Sequence, residues 1–469
     1  MIENSNPTAA AVLRAAFSAW QAGATLRASR HRNKCFTYGD QWIDTSVDEH
    51  GRHVSDYERY CRDGGFPITN NLLRQLIKTV VGRYRATYLH ESADDGQLTQ
   101  GDTHVTPLDE LDSRALEEFL ISGCCVQRVE PERNLLSTAA RVDNVDINTF
   151  FVNRFVDPLG RDIELVGQLH ELSISRLIQR VARGDRRRAA WVRRLYSRDC
   201  EQRVAECATQ LGVDPGAAPS FWHTGSSKCR AIEVWTLESH EVLVCHNRDT
   251  AEVTLAPLSA MRRLSRNPAL DIRWDIDTRW HCRWFTPMGD LLSEELSQQP
   301  HGGHPFVIRF YPLTDGEVHA FIEDVIDQQK YVNRLITLID HIMQASAKGV
   351  LLYPEAALPD GFSWDDIRRV WSSCRGILPY SAEMGGGKPE QLSVNNTDIG
   401  AFDMIQLQLK LLEEISGVGG ALQGKNINTQ GSVNLYRSEV LNASVALTDV
   451  FDTFNAWRAE RNALLAKFN

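Results

Sequence analysis

The residues nearest to a known chemistry are Gly419-Gly420-Ala421-Leu422-Gln423-Gly424-Lys425-Asn426. They fit the phosphate-binding spacing G-x-x-x-x-G-K up to its last position, where a Ser or Thr hydroxyl would bind Mg²⁺ and Asn426 stands instead. A phosphate loop also follows a strand and opens a helix. This one follows a helical pattern and runs on as polar residues. The composition reads better as a mobile loop, with glycines for backbone freedom and Gln423, Lys425, Asn426, Asn428 and Gln430 for polar contact. No Ser/His/Asp, Cys/His or paired-carboxylate set stands out. His281-Cys282 lacks a metal-ligand partner at useful spacing, so it reads as structural. His301 and His304 flank two glycines without the three or four ligands zinc needs. No cofactor or metal is expected.

A second chemistry is electrostatic. Nine arginines lie between Arg176 and Arg198, against the single acid Asp185, in a chain of formal net charge −10. That charge disfavours general adsorption to nucleic acid, so contact with a polyanion needs a local patch such as this one. A helical hairpin with solvated outer faces accounts for the same residues. The helix from Asn70 or Asn71 to Leu89 carries a smaller basic side, Arg74, Lys78, Arg83 and Arg85, away from an apolar stripe of Leu73, Leu76, Ile77, Val80 and Val81.

The elements that must position these groups follow from periodicity. The 469 residues have room for two to four domains. No apolar run is long enough to span a bilayer, and the N-terminal stretch lacks the basic region of a signal peptide. Ten scattered cysteines without a C-x-x-C pair read as reduced core thiols. An alanine-rich helix is expected over 8–30, then loop chemistry around Gly39-Asp40 and His50-Gly51. A helix follows that ends at Gly123 and leads into a strand. Residues 201–225 read as a loop, and 231–285 as antiparallel strands with Trp235, Trp280 and Trp284 packing inward. From Gly316 to Trp457 the pattern is helix, insert, helix, glycine-rich loop, long helix. The first of these helices is expected to start near Gly316-Glu317. The insert reads as strand VLLYP, a helix capped by Ser363, and a second strand GILPY. The second helix is apolar on more than one face, as between neighbouring helices of a ring or bundle.

Four stretches in order resemble the portal proteins of tailed double-stranded DNA bacteriophages. These are the aromatic-rich helix leading into Gly39-Asp40-Gln41-Trp42, the helix opened by Asn70-Asn71, the segment HPFVIRFYPLTDGE with its Asp327-x-Gln329-x-x-x-Asn333 helix, and EISGVGGALQGKNINTQGS before the last helix. The resemblance implies an α+β portal-type fold: an α/β wing over 1–315, a first stem helix over 316–346, a small αβ clip over 347–400, and a second stem helix over 401–417. A tunnel loop over 418–432 and a long wing helix over 433–469 would complete it, with the crown absent or minimal because the chain ends after that helix. It further implies a non-enzymatic ring, typically of twelve copies, at one capsid vertex of the virion. On that resemblance the ring would be assembled in the bacterial cytoplasm, with no membrane partner. Its partners would be double-stranded DNA without sequence preference, the terminase large subunit, the major capsid protein or scaffold, and head–tail adaptor proteins. On that reading Gln423, Lys425, Asn426, Asn428, Gln430 and Arg437 face DNA. Asp360, Trp364, Arg368, Glu383 and Lys388 meet terminase or adaptors, and Arg180, Arg186, Arg187 and Arg188 meet capsid or scaffold. The competing classes are a nucleotide-binding enzyme using Gly419–Asn426 and a basic helical DNA-binding protein.

Overall fold

In the computed structural model the described residues are 8–468, apart from 49, 63–65, 92–106, 132–139, 197–199, 215, 217, 224–227, 249, 268, 349, 356–357, 360, 373–378, 382–387, 393–399 and 420–444. In chain order the elements begin with helices α1 (Ala9–Ala22) and α2 (Ala24–Tyr38), strands β1 (Thr45–Val47) and β2 (His53–Ser55), and helices α3 (Asp56–Arg62), α4 (Leu72–Glu91) and α5 (Pro107–Ser122). Strands β3 (Cys124–Pro131), β4 (Ala140–Asn144), β5 (Phe150–Val152) and β6 (Leu165–Leu172) lead to helices α6 (Ile174–Ala182), α7 (Arg186–Leu195), α8 (Cys200–Leu211) and α9 (Pro219–Trp222). Then come β7 (Cys229–Asn247), β8 (Val253–Pro257), α10 (Met261–Leu264), β9 (Leu270–Phe285), β10 (Leu291–Leu296) and β11 (Phe306–Phe310). The last elements are α11 (Glu323–Lys348), β12 (Val350–Leu352), α12 (Trp364–Ser372), β13 (Glu390–Leu392), α13 (Ala401–Ser416) and α14 (Thr448–Ala466). The mixture is α+β. It divides into one unit of residues 1–37, 75–324 and 417–469, and another of 38–74 and 325–416.

The larger unit holds two antiparallel sheets. One runs β10-β9-β7-β6-β5, with β8 also on β7; the other runs β11-β3-β4. Strands β7 and β9 pair from Ile232↔Phe285 out to Asn247↔Leu270. Their inner ends are buried, and most of the outer stretch of β9 is exposed. Two clusters fill the interior. In one, α1 places Phe17 and Trp20 against Phe221, Trp222 and Phe151. In the other, Leu177 and Val192 of the arginine-rich helices pack with Val166, Trp235 and Trp284. Trp235 and Trp284 are therefore core residues as expected, while Trp280 is half-buried. Gly123 turns the chain from α5 into β3 with φ 68°, and a Cβ there would lie 2.5 Å from Val318 and 2.8 Å from the Tyr311 carbonyl, so glycine is required on two counts.

Charges cross the space between the sheets. Arg128 of β3 makes a two-pronged contact with Glu233 of β7, at 2.5 and 2.8 Å, and His170 lies 2.7 Å from the same carboxylate. Burial opposes the charge on Glu233. Arg128 and His170 outweigh it and hold the carboxyl well below the usual range. Helix α14 closes this unit. Phe451 and Phe454 meet Tyr84, and Trp457 donates to the Val307 carbonyl at 3.1 Å. Buried Arg461 pairs with Asp112, which also takes Arg458 at 2.8 Å.

Several local expectations are corrected. The 8–30 helix is two helices divided at Gly23, whose N–H bonds the Ala19 carbonyl at 3.2 Å and ends the first. Residues 201–225 are not simply a loop: α8 buries Val204, Cys207, Ala208 and Leu211, a helical stripe that was present in the sequence. The helix expected from Gly316 begins at Glu323, because Gly316 sits at φ 81° in a turn closed by Thr314 and Glu317. Strand β12 pairs with Glu390–Leu392; residues 376–378 of GILPY lie outside the described residues. Pro379 lacks an N–H to give a ladder, and its carbonyl accepts instead from the Tyr353 hydroxyl. Ser363 caps α12 as expected, accepting from the Asp366 N–H at 3.2 Å while Asp366 accepts from Ser363 N–H at 3.1 Å.

Glu233→Gln should cost roughly 1–3 kcal/mol, since buried Arg128 loses its two-pronged partner and keeps Glu130. The folded pKa values of both Glu233 and His170 lie below their ordinary ones. Their contribution is therefore present above the unfolded pKa values, about 4.3 and about 6.5, and is lost as pH falls through the folded ones. Urea midpoints by tryptophan fluorescence should drop as the native chain is taken from pH 7 to about pH 3, and the part of that drop below about pH 5, where Glu233 contributes, should be smaller in Glu233→Gln.

Candidate functional site

Within the smaller unit, α11 carries Gln329, Asn333 and Thr337 one turn apart, so all three lie on one helix face. All three are buried, beside Val325, Ile326 and Val332. A buried amide needs partners, and an extended segment before α4 supplies them. Thr337 Oγ1 accepts from the Ile68 N–H at 3.1 Å, Asn333 Oδ1 from the Asn70 N–H at 3.0 Å, and Gln329 Oε1 from the Leu72 N–H at 3.0 Å. In return Gln329 Nε2 donates to the Asn70 carbonyl at 2.7 Å and to Asn333 Oδ1 at 3.0 Å. Asn333 Nδ2 donates to Gln41 at 2.6 Å, and Gln41 donates to Asn71 Oδ1 at 3.1 Å. Asn71 also caps α4, accepting from the Arg74 N–H at 3.1 Å. Trp42 stacks edge-on with Tyr60 and donates to Thr69 Oγ1 at 3.1 Å. The helix's charged side is tied to the same segment: Lys330 lies 2.6 Å from Asp44 and Arg334 3.4 Å from Asp56.

Gln41, Asn70, Asn71, Gln329 and Asn333, which belong to three separate motifs in the sequence, are therefore one hydrogen-bonded ladder. In the sequence the signal for Gln329, Asn333 and Thr337 was their spacing of four.

The arginine cluster is a helical hairpin. Arg183 at its bend has φ 47°, and Asp185 caps α7 by accepting from the Arg187 N–H at 2.8 Å. Its cations divide into two sets. Arg180 lies 2.5 Å from Glu130 and stacks over Trp284, Arg183 pairs with Glu295, and Arg188 donates to the Leu292 carbonyl at 2.6 Å. Arg186 and Arg187 are exposed. In the insert, Trp364 and Lys388 are exposed, and Arg368 makes only a surface contact with Asp365 at 3.8 Å. On α4, Lys78 is exposed and Arg85 pairs with Glu110 at 3.2 Å. Asp360, Glu383, Gln423, Lys425, Asn426, Asn428, Gln430 and Arg437 lie outside the described residues. The element immediately before Gly419 is helix α13, ended at Gly417 with φ 66°, where a phosphate loop requires a strand. Among the described residues no helix is long and apolar enough to cross a membrane.

The family model for phage P22-like portal proteins matches residues 179–461, more than half of the chain. The chain belongs to the P22-like phage portal protein family. That family is structural and non-enzymatic, and it implies a place in the virion capsid and ring assembly in general. No curated protein matches the chain. The match begins at Gln179, so Gln41, Asn70 and Asn71 precede it, whereas their partners Gln329 and Asn333 lie inside it.

Asn333→Ala should cost about 1–3 kcal/mol, because the Asn70 N–H and Gln41 are left without their partner. Hydrogen exchange should show the amide of Asn70 losing protection first, with those of Ile68 and Leu72 following. Gln329→Ala combined with Asn333→Ala should cost less than the two singles summed, since the pair shares a bond.

Proposed function

We propose that this chain is the subunit of a ring-shaped channel at one capsid vertex. Through it a terminase would drive double-stranded DNA in, and DNA would later leave. On this reading α11 and α13 form the channel wall, residues 347–400 the clip that meets terminase and later the adaptors, and 418–432 a loop toward DNA. Residues 1–315 and 433–469 form the wing.

One observation carries the reading beyond family membership. The two helices flanking the insert leave large apolar side chains in solvent: Met343 at 63% exposure on α11, and Phe402, Leu407 and Ile415 at 68, 47 and 45% on α13. Side chains of this size spread along a helix mark a contact that one chain alone does not complete. Like subunits packed around an axis would cover them.

The channel needs no covalent chemistry. A polar, net-negative lining repels phosphate and prevents tight adhesion, and a few cations such as Lys425 and Arg437 give weak, transient contact. Of Arg180, Arg186, Arg187 and Arg188, the exposed Arg186 and Arg187 are the ones we assign to capsid or scaffold, because Arg180 and Arg188 contact Glu130 and the Leu292 carbonyl.

Negative-stain imaging of the purified chain should show rings with a central hole, and a uniform monomer at high concentration would overturn the reading. Phe402→Glu with Leu407→Glu should shift rings to monomers by light scattering while leaving the circular dichroism spectrum in place. ATP turnover by the pure protein that Lys425→Ala abolishes would favour the nucleotide-binding alternative. Tight, salt-sensitive DNA binding by a monomer would favour the basic DNA-binding one.

A further inference from the structure

Three side chains on the large sheet converge although they are far apart in sequence. Glu238 and His240 are two residues apart on β7, so they share a face. His281 of β9 pairs in register with Thr236, which is on that same face. His240 Nε2 lies 2.9 Å from His281 Nε2, and His281 Nε2 lies 3.8 Å from Glu238 Oε2. One ligand atom from each of the three falls within 4.8 Å of the others. The expectation that His281 has no metal-ligand partner holds along the chain and fails across the strands.

We propose that Glu238, His240 and His281 form a His₂–carboxylate site for a divalent late first-row transition ion, with zinc the type case. Zinc–nitrogen bonds of about 2.0–2.1 Å at a tetrahedral angle put the two nitrogens about 3.3 Å apart, so the rings need open by only a few tenths of an ångström. The carboxylate is already oriented. Its Oε1 accepts from the Thr236 hydroxyl at 2.7 Å and from Arg283, and its Oε2 is the oxygen on the His281 side. Arg283 also pairs with Glu294 of β10 at 2.7 Å, so two carboxylates stand against one guanidinium and the surroundings carry one net negative charge. Burial, Arg283 and His240 together hold His281 below the ordinary imidazole value, against Glu238 and Glu294, which keeps a lone pair free near neutrality.

Imidazole and carboxylate together select zinc, cobalt, nickel or copper over magnesium and calcium. His281 is the first buried residue of β9 after the exposed stretch, so the ion would clip β7 to β9 where the hairpin leaves the core. Three ligands leave one position for water, which suits a brace that exchanges with free metal.

The test uses the full chain, stripped with a chelator, desalted, and titrated with Co²⁺ and then Zn²⁺. A single Co²⁺ equivalent should bind with visible ligand-field absorption and be displaced by Zn²⁺. Mg²⁺ should do neither, and Zn²⁺ should slow amide exchange around 238–243 and 276–281. His240→Ala, at the half-buried ligand, should weaken binding at least about tenfold, and His281→Asn likewise. No saturable Co²⁺ binding by the folded native chain would overturn the site. So would binding unchanged in His240→Ala, a variant whose folding is checked by circular dichroism.

Discussion

A buried amide without a partner is expensive, and the smaller unit is arranged around that fact. Helix α11 places Gln329, Asn333 and Thr337 inside, and each takes a backbone N–H from the segment before α4. Apolar residues in those places would pack against almost any partner of suitable volume. Amides accept one register, because a slip of one residue along 68–72 would misalign all three acceptors with their donors. The ladder thus fixes where an N-terminal segment joins a helix more than 250 positions later in the chain. Within the smaller unit the position of α11 is set by hydrogen bonds as well as by packing.

The larger unit uses the same device with charges. Arg128 and Glu233 join the two sheets, while Asp112 with Arg458 and Arg461 joins α5 to the C-terminal helix. Buried ion pairs add less to stability than their distances suggest, because desolvation offsets the Coulomb gain. Their effect is on mispairing. A sheet or helix docked in another register would leave a charge buried alone. A subunit that must offer the same surfaces in many copies benefits from having one arrangement.

The arginine-rich hairpin shows how the local reading and the fold divide. Its helical hairpin was visible as pattern. Which arginines stay available was not. Arg180, Arg183 and Arg188 find Glu130, Glu295 and the Leu292 carbonyl on other strands, and Arg186 and Arg187 do not turn inward. A count of nine cations therefore overstates the patch, since a cation already paired in the fold has little left for a polyanion.

By itself the sequence determined the type of most elements, because helix and strand periods, caps and turn glycines act over a few residues. It also carried the family resemblance, through four stretches in order, of which the two after Gln179 lie within the family match. The tertiary structure alone decided that Gln41, Asn70, Asn71, Gln329 and Asn333 are one network, that Gln329, Asn333 and Thr337 belong to the core, and that His240 meets His281. Each depends on a partner far away in sequence or across a sheet, chosen by strand register and helix docking. The start of α11 was misplaced, at Gly316 rather than Glu323. The turn at Gly316 is closed locally by Thr314 and Glu317, whereas the ladder to Glu390–Leu392 is closed by residues outside any local window.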